Sequence, residues 1–289
     1  MSILDRIRRC SPPSDLAAYL PFRVDGVAYG LVAPSFAEVL AAFPAIFRID
    51  VGGITLDERL RTPAERGRQV NAVLRLLADQ GEISPWRDEM FPVVRAFGEA
   101  PAFEIGRSAV QALGLRAFGI HVNGFVRGDD GLKMWVGVRS DSSAVEPGKF
   151  DQMVAGGQPA GLGLMDNVVK ESAEEADIPA DVARRAQPVG ATSYTMAWGE
   201  GLRRDTLFNF DLELPADFRP HNADGEMQRF ELWPIVDVLA CVRDTDAFKF
   251  NCSLVAIDFL IRHGFLAPDH PDYHDVLCGL HQRLEIDGV

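Results

Sequence analysis

Three glutamates close together in the chain have the spacing of a metal-binding helix face. Glu171, Glu174 and Glu175 follow one another at intervals of three and one residues, so in an α-helix they share one face within one turn. Like charges at that spacing repel each other unless a cation neutralises them. Carboxylate oxygens suit hard divalent ions, Mg²⁺ above all, and a phosphate-bearing substrate can complete the coordination shell. The simpler alternative, a solvated helix face, fits any isolated trio of glutamates.

A glycine-rich loop precedes these glutamates. The apolar run Met153 to Ala155 predicts a strand, and the sequence GGQPAGLG follows it at 156–163. Glycine lets the backbone approach a ligand closely, because it has no side chain. The stretch from Asp151 to Pro179 therefore predicts one unit made of a strand, a ligand-binding loop and a carboxylate helix.

This stretch resembles the signature box of the Nudix hydrolases, which cleave a nucleoside diphosphate linked to another group. The box reads Gly-x5-Glu-x7-Arg-Glu-U-x-Glu-Glu-x-Gly-U, with U aliphatic. Four of its positions are matched by Glu171, Glu174, Glu175 and Ile178. Lys170 replaces the box arginine, and residues 156–157 match the opening glycines if the loop is one residue short.

Three positions depart from the box: Leu162 replaces the loop glutamate, Ser172 an aliphatic residue and Asp177 the late glycine. With these departures the chain resembles the Nudix domain that fungi place ahead of thiamine pyrophosphokinase, and its stand-alone relatives in plants and bacteria. The resemblance extends over nearly the whole chain, through segments 85–93, 121–126, 135–140, 148–157, 203–215, 224–234 and 251–265.

The resemblance implies a magnesium (or manganese) site. Glu174 and Glu175 would hold the metal directly, while Glu171 would bind a further ion or orient the attacking water. The backbone carbonyl of Gly156 would be another ligand. Glu226 lies where many Nudix enzymes keep one more acidic ligand or base, although an exposed strand residue is an equally good interpretation.

Substrate recognition is assigned to three polar residues. Gln158 lies in the glycine loop, and Arg203 and Arg204 precede a strand from which they could clamp a diphosphate bidentately. Two solvated arginines at a hairpin rim are the alternative.

The resemblance favours a pyrophosphohydrolase that converts an organic diphosphate to a monophosphate and phosphate, with damaged thiamine diphosphate in its oxy and oxo forms as the substrate. Two alternatives stay open. One is a Nudix hydrolase of nucleotides, such as ADP-ribose or oxidised nucleoside phosphates. The other is a non-catalytic binding module, because Leu162 leaves the loop one carboxylate short.

The pattern of elements predicts two domains of the α/β class. Residues 1–115 predict a smaller α+β domain that shapes specificity or mediates homodimer formation. Residues 116–289 mix strands and helices in the manner of a Nudix α/β/α sandwich, with the carboxylate helix on one face of a mixed sheet.

Composition excludes several classes of partner. The net charge of −13 argues against nucleic acid or an anionic membrane as the main partner. The four cysteines are scattered without a CxxC pair, which indicates reduced thiols and a cytoplasmic protein. The first residues lack a signal-like apolar core, and we expect no membrane-spanning segment.

Overall fold

The structure is a computed structural model, and it describes residues 2–199 and 201–284. The elements of its first part are α1 Ile3–Arg9, β1 Leu20–Val24, β2 Val27–Val32, α2 Pro34–Leu40, β3 Phe47–Asp50, β4 Gly53–Leu56, α3 Pro63–Asp79, β5 Met90–Pro92 and β6 Glu104–Gly106. The elements of its second part are β7 Arg116–Gly128, β8 Gly131–Arg139, β9 Phe150–Asp151, β10 Val154–Gly157, α4 Leu164–Ala176, α5 Ala180–Ala183, β11 Gln187–Trp198, β12 Gly201–Glu213, β13 Met227–Pro234, α6 Ile235–Asp244, α7 Phe250–Arg262 and α8 Tyr273–Leu280.

The first part contains a four-stranded sheet in the order β2, β1, β4, β3, in which β1 is parallel to β4 and the other neighbours are antiparallel. A hairpin turn joins β1 to β2, and Asp25 and Gly26 both adopt the positive φ of a two-residue turn. Helix α3 begins at Pro63, because Thr62 and Glu65 form a capping box at its start. Strands β5 and β6 form a separate antiparallel pair.

The second part is built around a seven-stranded mixed sheet. The main path runs β11, β12, β7, β8, β13, while β10 pairs with β7 and β9 with β8. Strands β12 and β7 are parallel, and the other pairs are antiparallel.

Helices cover both faces of this sheet. Val168 of α4 belongs to one core cluster with Ile120 and Val122 of β7. On the opposite face, α7 packs with α6 and α8 over Phe125 and Leu207. This layering is the predicted α/β/α sandwich, preceded by a smaller α+β unit.

Helix α1 packs in the second core, although it comes first in the chain. Its Ile3 and Ile7 belong to the same core cluster as α6, α7 and α8, together with Cys10. The predicted boundary between residues 115 and 116 stays a prediction, and residues 3–10 pack against elements on the far side of it.

Candidate active site

The glycine loop between β10 and α4 is held by buried amides. The Nδ2 of Asn167, which is fully buried, donates to the carbonyl of Gly157 at 2.8 Å and to Oε1 of Gln158 at 3.0 Å. Gln158 in turn donates from Nε2 to the carbonyl of Leu162 at 2.6 Å. These bonds link the end of β10 to the first turn of α4, so the loop has a fixed shape relative to the helix.

Helix α4 turns two of its glutamates toward β10. Oε2 of Glu175 accepts a hydrogen bond from the backbone N–H of Ala155 at 2.8 Å. Glu171 lies directly against Gly156, where a β-carbon would overlap its carboxyl group. A side chain at 156 would therefore displace the carboxyl group of Glu171 from its present position.

Both of these carboxyl groups are electrostatically strained. Burial raises the pKa of Glu175 well above its usual value, and the charges of Asp151, Glu171 and Glu226 add to this effect. Burial also raises the pKa of Glu171, with smaller contributions from Glu174 and Glu89 against the opposing pull of Lys170. A cation placed beside Glu171 and Glu175 would relieve this strain.

Glu174 stands at the rim of the cluster. Its side chain is half exposed, and Oε2 lies 2.7 Å from Nζ of Lys170. Lys170 also lies 3.1 Å from Oε1 of Glu171. Lys170 therefore pairs with two of the three carboxylates.

Glu226 reaches the same region from the residue before β13. Its charge is among those that raise the pKa of Glu175. Its backbone is fixed, because its carbonyl accepts from Ser140 N–H at 2.9 Å and its N–H donates to Asp224 at 2.9 Å. The side chain of Glu226 is exposed at this position.

The oxygen donors of these side chains are of the type that hard divalent ions prefer. They are the carboxylate oxygens on Glu171, Glu174 and Glu175, next to the backbone of Gly156. The raised pKa values of the two buried glutamates indicate that Lys170 alone does not balance their charge.

A cavity of about 440 Å³ lies against the other side of the glycine strand. Neighbouring residues of a strand face opposite ways, so Gly156 faces Glu171 while Gly157 faces Phe91 and Arg107. The cationic groups that line the cavity are Arg87, Arg107, Arg203 and Lys249, and the rings are Phe91, Phe118 and Trp198. An aromatic, positively charged cavity thus lies on one side of Gly156 and Gly157, and the carboxylates lie on the other. We call this pair of glycines the glycine step.

Comparison with known proteins gives the family. Residues 2–117 match the family model described as a domain of unknown function, DUF4743. Nudix hydrolase 20 of Arabidopsis thaliana, chloroplastic by its name, is 40% identical over 291 residues, which cover 97% of this chain and 76% of the relative. The chain belongs to the Nudix hydrolases. Its activity is accordingly of the pyrophosphohydrolase type, and divalent metals are the general cofactors of this family.

Two further similarities accompany this one. Nudix hydrolase 24 of the same plant, also chloroplastic by its name, is 41% identical over 284 residues, covering 97% of this chain and 77% of the relative. The crystal structure of the MutT protein from Methanosarcina mazei Go1 is 17% identical, with a TM-score of 0.38 over 51% of this chain and 95% of that one. Among the described residues, no helix is both long and apolar enough to cross a membrane.

Two of the residues expected to bind substrate in this Nudix chain face inward. Gln158 is 2% exposed and braces the loop through Leu162 and Asn167. Arg204 is also 2% exposed, and its guanidinium donates to the carbonyls of Gly114, at 3.0 Å, and Leu284. Both side chains have structural partners away from the cavity, and a direct role of either in substrate binding stays a prediction.

Arg203 is the third residue predicted to bind substrate, and it lines the cavity. Its guanidinium carbon lies 4.7 Å from the ring centroid of Trp198, and Nη1 is 3.6 Å from Asp205. Asp205 also accepts a 2.5 Å hydrogen bond from the hydroxyl of the buried Tyr194. Arg203 therefore supplies a positive charge to the cavity, and neighbouring groups hold its side chain in place.

A buried polar cluster behind the cavity had no signal in the sequence. The side chains of His121, Asp151 and Cys252 offer ligand atoms within 4.8 Å of one another. Burial alone would raise the pKa of Asp151, but Lys249 and Arg139 lower it to about 2. Because two cations already balance this carboxylate, and the Cys252 thiol donates to it at 2.6 Å, the cluster is a poor site for a further positive ion.

The cluster nevertheless positions a residue of the cavity. Nζ of Lys249 lies 3.4 Å from Oδ2 of Asp151 while the residue lines the cavity. The three side chains are 30 and 101 residues apart in sequence (151 − 121 and 252 − 151). Such separations carry no local pattern, so the structure alone identifies the group.

Proposed function

We propose that this chain is a Mg²⁺-dependent pyrophosphohydrolase that converts an organic diphosphate into a monophosphate and phosphate. The observation that carries the proposal is the pair of buried carboxyls of Glu171 and Glu175, which face β10 from one side while the cationic cavity adjoins it from the other. A substrate with an organic group in the cavity would present its phosphates at the glycine step.

Glu171, Glu174 and Glu175 would hold the metal, together with the carbonyl of Gly156, and Glu226 would add an outer carboxylate. When bound, Mg²⁺ (or Mn²⁺) lowers the pKa of a water and polarises the phosphoryl oxygen. In the reaction a water oxygen bonds to one phosphorus, the bridging P–O bond breaks, and the water proton leaves with the products.

The residues of the chain would divide the work as follows. Glu171, whose pKa is raised, would orient the attacking water or bind a further ion. Lys170 holds the side chains of Glu171 and Glu174 in position through its two ion pairs. Arg203 and Lys249 would offset the negative charge of the phosphates from the cavity side.

For the substrate we propose damaged thiamine diphosphate, in its oxy and oxo forms. The resemblance of segments throughout the chain to the thiamine-linked Nudix branch motivates this choice. A cavity of about 440 Å³ lined by Phe91, Phe118 and Trp198 suits a substrate with aromatic rings. Nucleotide diphosphates satisfy the same chemistry and are the second candidate.

The remaining partners follow from these groups. We propose a small-molecule diphosphate as the main partner, and a homodimer remains a hypothesis. All four cysteines are free thiols, which supports the cytoplasm as the proposed location.

A panel of diphosphates tests the function. We expect phosphate release from at least one thiamine or nucleotide diphosphate with Mg²⁺ and none with EDTA. Glu175→Gln should lower kcat by at least about a hundredfold, since it removes a metal ligand. The control Glu38→Gln changes an exposed glutamate of α2 and should leave kcat unchanged.

The panel separates the alternatives. Release from thiamine analogues at a kcat/KM above that for nucleotides supports the thiamine assignment, and the reverse order supports the nucleotide assignment. Tight Mg²⁺-dependent binding without any turnover would reject the enzyme and leave a binding module.

A further inference from the structure

A segment of the N-terminal part reaches over the glycine loop. The N–H of Ala160, within the loop, donates to the carbonyl of Met90 in β5 at 2.8 Å. Phe91 is buried against Gly157, where a β-carbon would lie 2.6 Å from its ring. The strand pair β5–β6 is therefore docked on the loop of the Nudix box.

This docking brings an ion pair to the glycine step. Glu89 precedes β5 and Arg107 follows β6, and the backbone N–H of Arg107 donates to the carbonyl of Glu89 at 2.8 Å. Their side chains meet as well, with Nη1 of Arg107 at 2.8 Å from Oε2 of Glu89. Glu89 and Arg107 are thus joined by a hydrogen bond between their backbones and by an ion pair between their side chains.

The guanidinium of Arg107 lies where a phosphate would pass. Its central carbon is 3.6 Å from the position that a β-carbon on Gly157 would occupy, and the residue lines the cavity with Gly156 and Gly157. It also lies 5.8 Å from the ring centroid of Phe91, which restricts its orientation. The side chain is 42% exposed, so its remaining N–H donors are open to a ligand.

In the proposed function, the diphosphate of the substrate would pass this point. The carboxylates that would hold the metal face Gly156 from the α4 side, and the cavity for the organic group lies on the Gly157 side. A diphosphate that joins the two must cross the glycine step beside Arg107. Arginine suits this position, since its planar fork can bind two phosphate oxygens at once.

We propose that Arg107 binds the diphosphate of the substrate, and that Glu89 holds its guanidinium in position. This inference rests on the proposed function, because it assigns a phosphate ligand to the same site. It gives the N-terminal part a direct role in substrate binding. The negative charge of Glu89 lies near the carboxylate helix, since it is among the charges that act on Glu171.

The test measures binding separately from turnover. The probe is methylenediphosphonate, which has no hydrolysable bridge, and its dissociation constant is measured by calorimetry with Mg²⁺ present. Arg107→Gln should weaken binding by at least about tenfold, as expected for the loss of a charge-assisted bidentate contact. Arg107→Lys should fall in between, since it keeps the charge without the fork.

Arg75→Gln is the matched control. Arg75 also pairs with an acidic residue, Asp88, at 2.6 Å, and lies over an aromatic ring, that of Trp86, at 4.6 Å. It lines a different cavity, on the surface of α3. Its substitution should change the dissociation constant by less than about twofold, and thermal melting should show that both variants are folded.

The outcomes distinguish this inference from the proposed function. If wild-type protein hydrolyses a diphosphate and Arg107→Gln binds the probe as tightly as Arg75→Gln does, the role of Arg107 is rejected and the function stands. If wild-type protein has no hydrolase activity but binds the probe through Arg107, the role stands and the function is rejected. If wild-type protein with Mg²⁺ does not bind the probe, the role of Arg107 is overturned.

Discussion

Glu175 carries the highest electrostatic cost among the candidate metal ligands. It is 3% exposed, and the N–H of Ala155 donates the hydrogen bond that it receives. Burial raises its pKa well above the usual 4.5. A carboxylic acid with a raised pKa in the folded state favours unfolding once it must ionise. The residue that the site needs for its metal is thus one that the metal-free fold tolerates poorly.

This cost predicts an inverse effect on stability. In EDTA at pH 7, Glu175→Gln should melt a few degrees above wild-type protein, because the amide can accept the same hydrogen bond without a charge. The penalty begins as pH rises past the unfolded pKa of about 4.5 and is complete above the folded pKa. The melting difference should therefore vanish below about pH 4. Saturating Mg²⁺ should raise the melting temperature of wild-type protein only. A variant that melts below wild-type protein at pH 7 in EDTA would contradict this account.

At the scale of elements, the decisive contact is between β10 and α4. Three features fix it: the hydrogen bond from β10 to Glu175, the bonds of Asn167 to the loop, and the absence of a side chain at Gly156. Strand and helix come within van der Waals contact at this glycine. The carboxylates are thereby held against the backbone that would share the metal with them.

Gly156→Ala tests this contact. The added methyl group would overlap the carboxyl group of Glu171, so we expect kcat/KM to fall by at least about tenfold and the Mg²⁺ requirement to rise. Gly163→Ala is the control in the same loop, because its methyl group would meet Asp166 at an ordinary 3.4 Å. Activity against the best diphosphate is titrated with Mg²⁺ for both variants. Equal loss in the two variants would indicate a general disturbance of the loop instead.

At the scale of the whole molecule, the two parts of the chain are joined at several places. Helix α1 packs in the core of the second part, and the backbone of Gln111 accepts a bond from Leu202 at 3.0 Å. The β5–β6 pair covers the glycine loop. The N-terminal part therefore contributes both to the stability of the sandwich and to one wall of its cavity.

Ile7→Ala measures the first contribution. Ile7 is 5% exposed and packs against Gly279 of α8, which has no room for a side chain there. Its truncation should lower the free energy of unfolding by about 2 to 5 kcal/mol, as measured by urea denaturation. Val51→Ala, at a fully exposed turn position, should cost less than about 0.5 kcal/mol. A small loss at Ile7 would show that α1 is dispensable for the second core.

Local patterns predicted the elements that build the site. The spacing of Glu171, Glu174 and Glu175 indicates a helix face. The glycines indicate a loop whose backbone can approach a ligand closely. Both signals lie within one stretch of chain, so they can be recognised without knowledge of the fold. The capping box of α3 and the turn at residues 25–26 likewise depend only on residues close together in the chain.

Residues far apart in the chain were beyond that reasoning. A polar side chain such as Gln158 or Arg204 has the same appearance in sequence whether it faces a ligand or a buried carbonyl. The structure turns both inward, and it brings Arg107 and Lys249 to the cavity instead. Sequence alone determined the carboxylate helix and its loop, because both depend on neighbouring residues. Only the tertiary structure decided which cations face them, because that depends on how separate sheets and segments pack together.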